Sequence, residues 1–240
     1  MRVIINQTEV VIPSSLAEIT LGQRIDFHLQ HGADLDKMLA SILKMDEGPV
    51  KELELTNFHF EKMFRSFAFF SGFDVESIKE SKFIDDVASI YYSCLQVLLD
   101  DEENLEPVRE FLFKGELWEL QPPEVLQGSK MKYGEFIDSK QLVKDMVEVG
   151  AGKWEYMLPI CAIYLRKKGE LYQEEFLYEG SDRLQLMRDL PMNIAMQVGF
   201  FLTSTMNIYQ NTLRSSGNLE QKVAESSPKR ISKDTVGSIF

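Results

Sequence analysis

The chain has 240 residues, of which 44% are hydrophobic, and this composition is ordinary for a globular protein with a substantial core. Its 26 basic and 38 acidic residues give a formal net charge of -12, and an acidic body repels the phosphate backbone of nucleic acids. We therefore expect no direct binding of nucleic acid by the folded body.

The first residues predict a β-hairpin and then a helix. In VIINQTEVVIP, two short β-branched runs flank a polar turn and end at Pro13, which is typical of a hairpin. Thr20 and Gln23 have the spacing of a capping box, and the apolar repeat that follows predicts a helix from about 20 to 31. We expect Gly32 to end that helix.

Helices are predicted for most of the next hundred residues. One amphipathic helix should run from Asp34 to a turn at Gly48, and an aromatic-rich helix should run from Thr56 to Gly72. A short helical turn and then a helix over residues 83–99 follow. The acidic run Asp100-Asp101-Glu102-Glu103 reads as a solvated loop, because it lacks the glycine turn and spaced ligands of a calcium loop.

The middle of the chain changes character. Residues 107–137 predict a β-rich insert, with one hairpin around Lys114-Gly115 and a second extended piece in GSKMKYGEFID. Helices are then expected over 138–149 and over 154–166, the latter with a kink at Pro159. A turn at Lys167-Lys168-Gly169 should follow.

The last part of the chain divides into a charge-free segment and a polar tail. Ser181-Asp182 should cap a short helix to Leu190, and Pro191 should stand at the first position of a helix that continues to Leu213. We expect that last helix to be buried, with Ala195 and Gly199 at close helix contacts. Its many amide and hydroxyl side chains argue against a membrane span.

The tail from 214 to 240 has too few large apolar groups to offset its own ordering entropy. It carries five basic and three acidic residues, so its charge is +2 and residues 1–213 keep -14. Its apolar residues gather towards the end of the sequence, which is typical of an arm that orders on a partner. The predicted partner-binding residues are Ile231, Val236, Ile239 and Phe240.

Together these patterns predict a mainly α protein with short β-hairpins, of the α+β class. Residues 1–213 should form a single, mostly helical domain, a bundle with an N-terminal hairpin and the β-rich insert near 107–137. Residues 214–240 should form a flexible, extended, partner-binding tail.

Histidine and cysteine patterns indicate no metal or catalytic site. His28 and His31 are three residues apart, with Asp26 or Asp34 as the only nearby acids, and a helix end facing solvent explains them better than a metal. His59 should be a core or boundary residue. Cys94 and Cys161 stand in apolar helical patterns, so we expect both thiols to be buried and reduced.

Other chemical motifs also fall short of a site. Gly150-Ala151-Gly152-Lys153 lacks the spacing of a phosphate loop, and Trp154 stands where that loop needs serine or threonine. The serine pairs lack the frame of a nucleophile elbow, and adjacent carboxylates diverge on a helix or strand. We predict no enzyme activity, no cofactor and no metal. Reduced thiols and the lack of a signal-peptide pattern favour synthesis in a cytoplasm.

Several short segments of the sequence resemble proteins from the structural-gene modules of tailed bacteriophages, notably those of Bacteroidetes hosts. They are Val11-Ile12-Pro13-Ser14-Ser15-Leu16 with Glu18-Ile19-Thr20-Leu21-Gly22-Gln23, then Leu158-Pro159-Ile160-Cys161-Ala162-Ile163-Tyr164-Leu165 with Lys168-Gly169-Glu170-Leu171-Tyr172, then Leu190-Pro191 and Phe200-Phe201-Leu202. In this chain, Leu16 replaces the aromatic residue usual before the first helix, and the tail has no counterpart.

The resemblance implies a virion protein without catalytic activity, packaged in the particle or held at its portal, neck or tail. Its partners would be other phage structural proteins in a ring or multimeric complex, and it would be made in the host cytoplasm. Two alternatives stay open: an assembly chaperone for the tail or head that is absent from the mature virion, and an unrelated cytoplasmic adaptor.

Overall fold

The computed structural model describes residues 1–5, 8–80, 82–99, 109–121 and 154–199, together with single positions between 135 and 148. The described residues belong to one compact unit, Met1–Phe201. They are mostly helical, with two small antiparallel sheets, so the predicted α+β class is confirmed. The predicted domain boundary at 213, the tail 214–240 and the acidic run 100–103 lie outside the described residues.

The predicted N-terminal hairpin is present. Strands β1 (Arg2–Ile5) and β2 (Thr8–Val11) pair antiparallel, with Val3 opposite Val10. Val10 is buried against the helices. The amino group of Met1 donates to the Ile12 carbonyl oxygen at 2.6 Å, so the pairing of the two chain segments extends past the open end of the hairpin.

The next two helices are continuous, so the predicted break at Gly32 is wrong. Helix α1 (Leu21–Phe27) passes through a π-helical segment, His28–Gly32, directly into α2 (Ala33–Leu43). Gly32 is buried, and a Cβ atom there would overlap the imidazole ring of His28. The glycine therefore permits close side-chain approach inside a helix and does not terminate one.

A long central helix, α3 (Pro49–Ser71), starts at Pro49, earlier than the predicted Thr56. Proline at a first helical position lacks only an N–H that would have no intrahelical partner. The helix ends as predicted at Gly72, whose φ of 76° places it in the left-handed region.

The following helices agree with the predictions. Helix α4 (Val75–Lys79) is capped by the Asp74 side chain, which accepts from the Ser77 amide at 3.1 Å. Helix α5 (Ile84–Ile90) continues through a second π-helical segment, Tyr91–Leu95, into α6 (Gln96–Leu99).

The second sheet contains the predicted hairpin and one strand that was not predicted. Strands β3 (Glu110–Phe113) and β4 (Glu116–Leu120) are joined by Lys114 and Gly115, which both have positive φ, 54° and 80°. A third strand, β5 (Leu165–Lys167), pairs with β4 where the sequence predicted the end of a helix and a turn. Its amides and carbonyls complete a ladder that local sequence does not reveal.

The predicted extended piece within 128–138 is wrong at its described end, because Glu135, Ile137 and Asp138 are helical. The predicted helix over 138–149 is helical at its described positions as well. Residues 107–108 and 122–134, which complete the predicted β-rich insert, lie outside the described residues.

Further helical segments follow, including a short 3-10 turn at Glu174–Leu177. A 3-10 turn (Trp154–Tyr156) leads into the helix Met157–Tyr164, and Pro159 lies in its first turn, where a missing N–H costs little. The helix Asp182–Arg188 is capped as predicted by Ser181, whose hydroxyl accepts from the Leu184 amide at 3.2 Å. Residues 192–199 form the described part of the last helix.

That last helix is buried from Ala195 to Val198, as predicted for a segment without charge. Gly199 was predicted to mark a close helix contact; among the described residues, a Cβ there would meet the flexible tip of Met157 at an ordinary van der Waals distance of 3.6 Å. Positions 200–213 lie outside the described residues.

The start of this helix is tied to the start of α1. The Leu21 amide donates to the Leu190 carbonyl oxygen, and the Met192 amide donates to that of Ile19, both at 2.8 Å. Two segments that are far apart in the sequence are thereby joined.

The core lies around α3. One buried cluster joins its C-terminal half to the hairpin and to α5 with its π-helical extension, through residues such as Ile12, Met63, Phe67 and Tyr91. A second cluster joins α3 to α1, α2 and α6 and includes Phe27, Ile42, Phe58 and Leu99. The aromatic helix is therefore surrounded on several sides, as its sequence predicted.

Candidate functional site

The strongest concentration of buried charge surrounds Arg183. Its guanidinium is stacked between two rings, 4.6 Å from the Trp118 centroid and 4.4 Å from that of Phe176. Nη2 of Arg183 donates to Glu170 at 2.6 Å and to the Leu165 carbonyl oxygen at 3.1 Å. Burial lowers the pKa of Arg183, and the hydrogen bond and charge of Glu170 partly oppose that shift.

A second buried arginine lies beside the first. Arg166, on β5, donates to Glu135 at 2.8 Å, and both side chains are almost fully buried. Its guanidinium also lies 5.6 Å from the ring centroid of Tyr172, whose hydroxyl donates to Asp138 at 2.7 Å. Burial raises the pKa of Tyr172, and the hydrogen bond to Asp138 raises it further, so this phenol stays protonated.

An open cavity of about 370 Å³ lies next to Arg183. It is lined by side chains of both signs, including Lys167, Glu170, Glu175 and Asp182. Lys167 is already paired with Glu116 at 2.6 Å, and Glu170 is held by Arg183. The cavity therefore presents no set of convergent charges that would define one kind of ligand.

Two donors in this region, Nε of Arg183 and Nε1 of Trp118, are buried and have no hydrogen-bond partner among the described residues. Both atoms are closed off from the surface, so a molecule in the cavity does not reach them. The cluster therefore acts chemically as a structural network: it neutralises two buried arginines and joins β5 to neighbouring helices.

The histidines lie elsewhere and do not converge. His28 and His31 are half-buried within the π-helical segment, so the predicted location at a solvated helix end is wrong. His31 packs against the rings of Phe27 and Phe69, at 5.4 Å and 6.5 Å between centroids. His59 is exposed on α3, which corrects the predicted core or boundary position.

Both cysteines are free, but only one is buried as predicted. Cys161 is fully buried, and burial raises the pKa of its thiol, so it is an unreactive core residue. Cys94 is half-buried, which corrects the prediction, and it lies 3.6 Å from the hydroxyl of Ser93.

Within the described parts of the chain, no group of three or more histidine, cysteine, aspartate or glutamate side chains is arranged to hold a metal ion. The same residues contain no helix with the length and hydropathy of a membrane span. The Gly150–Lys153 segment lies outside them.

The predicted partner-binding residues Ile231, Val236, Ile239 and Phe240 also lie outside the described residues. The arginine network was missed by the sequence analysis. Its members lie in separate segments of the chain, and both arginines stand beside other charged residues in the sequence, so no local pattern marks them as buried.

No protein-family model matches the chain, and comparisons with curated proteins and with solved structures find no match either. The resemblance to phage structural-module proteins thus stays a prediction from the short sequence segments quoted above.

Proposed function

We propose that this chain is a non-enzymatic protein of a tailed-bacteriophage particle, held at the portal, neck or tail region by protein–protein contacts. Its partners are other phage structural proteins in a multimeric complex, and it joins the virion after synthesis in the host cytoplasm. The resemblance of segments 11–23 and 158–172 to phage structural-module proteins supports this proposal.

The observation that carries the non-enzymatic interpretation is the use of the buried charges. A catalytic acid, base or cation must present hydrogen-bonding capacity to a substrate. In the described cluster, Arg166 and Arg183 are instead directed at Glu135, Glu170 and main-chain carbonyl oxygens. These contacts stabilise the fold, and the interaction with partners is left to the surface and the tail.

Mass spectrometry of purified particles tests the assignment. Stoichiometric presence of the chain in gradient-purified virions is the expected result. Presence in infected cells with absence from virions would identify an assembly chaperone, and a gene in a host without phage genes nearby would favour a cytoplasmic adaptor.

The tail supplies the second test. Removing residues 214–240 should leave the thermal midpoint of the protein nearly unchanged and abolish incorporation into particles, because we assign partner binding to the apolar residues near its end. A second variant keeps the tail at full length and replaces its apolar residues Ile231, Val236, Ile239 and Phe240 with serine. Normal assembly of both variants, or unfolding of the truncated protein many degrees lower, would contradict the proposal.

A further inference from the structure

The N-terminal half of α3 carries an exposed apolar seam. Val50, Leu53 and Phe60 are 70%, 59% and 40% exposed, and Asn57 between them is exposed as well. Positions 50, 53, 57 and 60 have the alternating three- and four-residue spacing of a coiled-coil seam. These residues, called here the α3 seam, span about 15 Å at 1.5 Å per residue.

The seam is a second apolar face of this helix. The face that includes Leu55 and Phe58 packs against Leu35, Ile42 and other residues of the second core cluster. At 100° per residue, the centre of the seam lies about 150° around the helix from Phe58 and its neighbours. Packing within the fold therefore explains one face and leaves the seam unused.

One end of the seam is held in place by the core. The ring of Phe60 stacks on that of Phe64, with centroids 6.3 Å apart and planes 20° apart. Phe64 is 8% exposed and belongs to the first core cluster. The seam is thus anchored on a rigid helix before any partner arrives, which reduces the ordering cost of binding.

The surroundings of the seam are acidic. Residues 46–61 contain five acidic side chains and one basic side chain, Lys51, which is itself paired with Glu47 at 2.5 Å. Glu54 and Glu61 occupy the positions that flank a seam in a coiled coil and select the charge of the partner. Glu61 is already paired with Arg65 and Lys79, at 2.8 Å and 3.0 Å. Glu54 is therefore the residue that mainly selects the charge of the partner helix.

We propose that the α3 seam binds a basic amphipathic helix of another protein, with apolar residues at heptad spacing and lysine or arginine beside them. Charge complementarity favours this occupant over a second copy of the chain. An antiparallel copy would bring Glu54 and Glu61 against the same glutamates, and a parallel copy would bring two acidic segments together. The site is distinct from the tail assigned above, so neither assignment depends on the other.

A defined peptide tests this proposal. The probe is a fluorescein-labelled, Ala-rich helical peptide of about 20 residues with leucine at a and d and lysine at e and g. Its control has glutamate in place of every lysine. Fluorescence anisotropy with the full-length chain should show saturable binding of the lysine peptide that weakens as salt rises, and no binding of the glutamate peptide.

Variants locate the contact on the protein. Leu53→Asp and Glu54→Lys should each weaken binding of the lysine peptide about tenfold or more, because each removes a central contact. Leu171→Asp is the matched control, since Leu171 is 65% exposed outside α3, and it should bind as the wild type does. Circular dichroism of all three variants checks that the fold is retained.

Four results would overturn the proposal. Equal binding of both peptides, or no effect of Leu53→Asp, would show that the seam does not select a basic helix. Sedimentation of the wild type as a dimer that Leu53→Asp dissociates would make a second copy the occupant. Binding by a chain that ends at 213, without binding by the full chain, would make the protein's own tail the occupant.

Discussion

At Gly22 the fold leaves no room for a side chain. Gly22, in α1, is buried, and a Cβ atom built there would lie 2.9 Å from the Arg188 carbonyl oxygen and 3.1 Å from its Cβ. Arg188 in turn donates to Asp26 at 2.7 Å, so the two helices are fixed where they meet. Small size, and not a special backbone conformation, is what Gly22 provides.

We predict that Gly22→Ala destabilises the protein by about 1–3 kcal/mol, because the added methyl group forces two helices apart. Gly199→Ala is the matched control: its Cβ meets Met157 at an ordinary distance, and alanine favours a helix, so its free energy of unfolding should not fall. Urea unfolding measures both. Equal midpoints would show that the interface between the helices adjusts freely.

The surroundings of His31 disfavour a positive charge on its imidazole. Burial lowers its pKa first, and the positive charge of Arg65 lowers it further, while Asp34 and Glu61 act in the opposite direction. The ring also packs against Phe27 and Phe69. The folded state therefore takes up a proton on His31 less readily than the unfolded state.

The sign of the resulting pH dependence is fixed by that difference. Above the unfolded pKa of about 6.5 both states carry a neutral imidazole, and as the pH falls the unfolded state binds the proton first. Stability should therefore decline between about pH 7.5 and pH 5.5, and His31→Gln should decline less. His59→Gln controls for the loss of one imidazole. Parallel urea midpoints for wild type and His31→Gln would contradict the prediction.

Secondary-structure elements are joined in this fold by buried charge as well as by apolar packing. β5 takes part in the β4 ladder, carries Arg166, and thereby contacts Glu135 in a helical region that is distant in the sequence. The side chains of Arg166 and Glu135 are 3% and 1% exposed, so water cannot solvate either charge if the other is removed.

We expect Glu135→Gln to cost about 3–5 kcal/mol, because it leaves the buried Arg166 charge without a counter-charge. Glu116→Gln is a matched control on the same sheet: its partner Lys167 is 42% exposed, so the loss should stay below about 1 kcal/mol. Chemical denaturation compares them. A small cost at both positions would mean that the network around Arg166 compensates within itself.

The molecule as a whole is organised around α3, which contributes to both buried clusters and exposes the seam at its N-terminal half. The same residue type thus has opposite roles along one helix. Phe67 is fully buried, whereas Phe60 is 40% exposed.

Phe67→Ala should therefore destabilise the protein by about 3–5 kcal/mol, from lost burial and the cavity that remains. Phe60→Ala should change stability by less than about 1 kcal/mol, as is usual for exposed positions. Thermal or urea unfolding measures the difference. Similar losses at both positions would show that α3 is not the centre of the core.

Local patterns were enough to predict the hairpins, the capping box at Thr20, the cap at Gly72 and the Lys114-Gly115 turn. In each case the deciding interaction is made within a few residues of the chain. The α+β class followed from the number and spacing of these elements.

The tertiary structure decided what depends on distant partners. Gly32 continues a helix in which the His28 ring occupies the space that a Cβ atom would need. Leu165–Lys167 is a strand because it pairs with the edge of β4. Arg166 and Glu135 are a buried pair only because two remote segments meet. A sequence pattern records the period and polarity of one segment, whereas these outcomes are set by the surface that each segment meets in the fold.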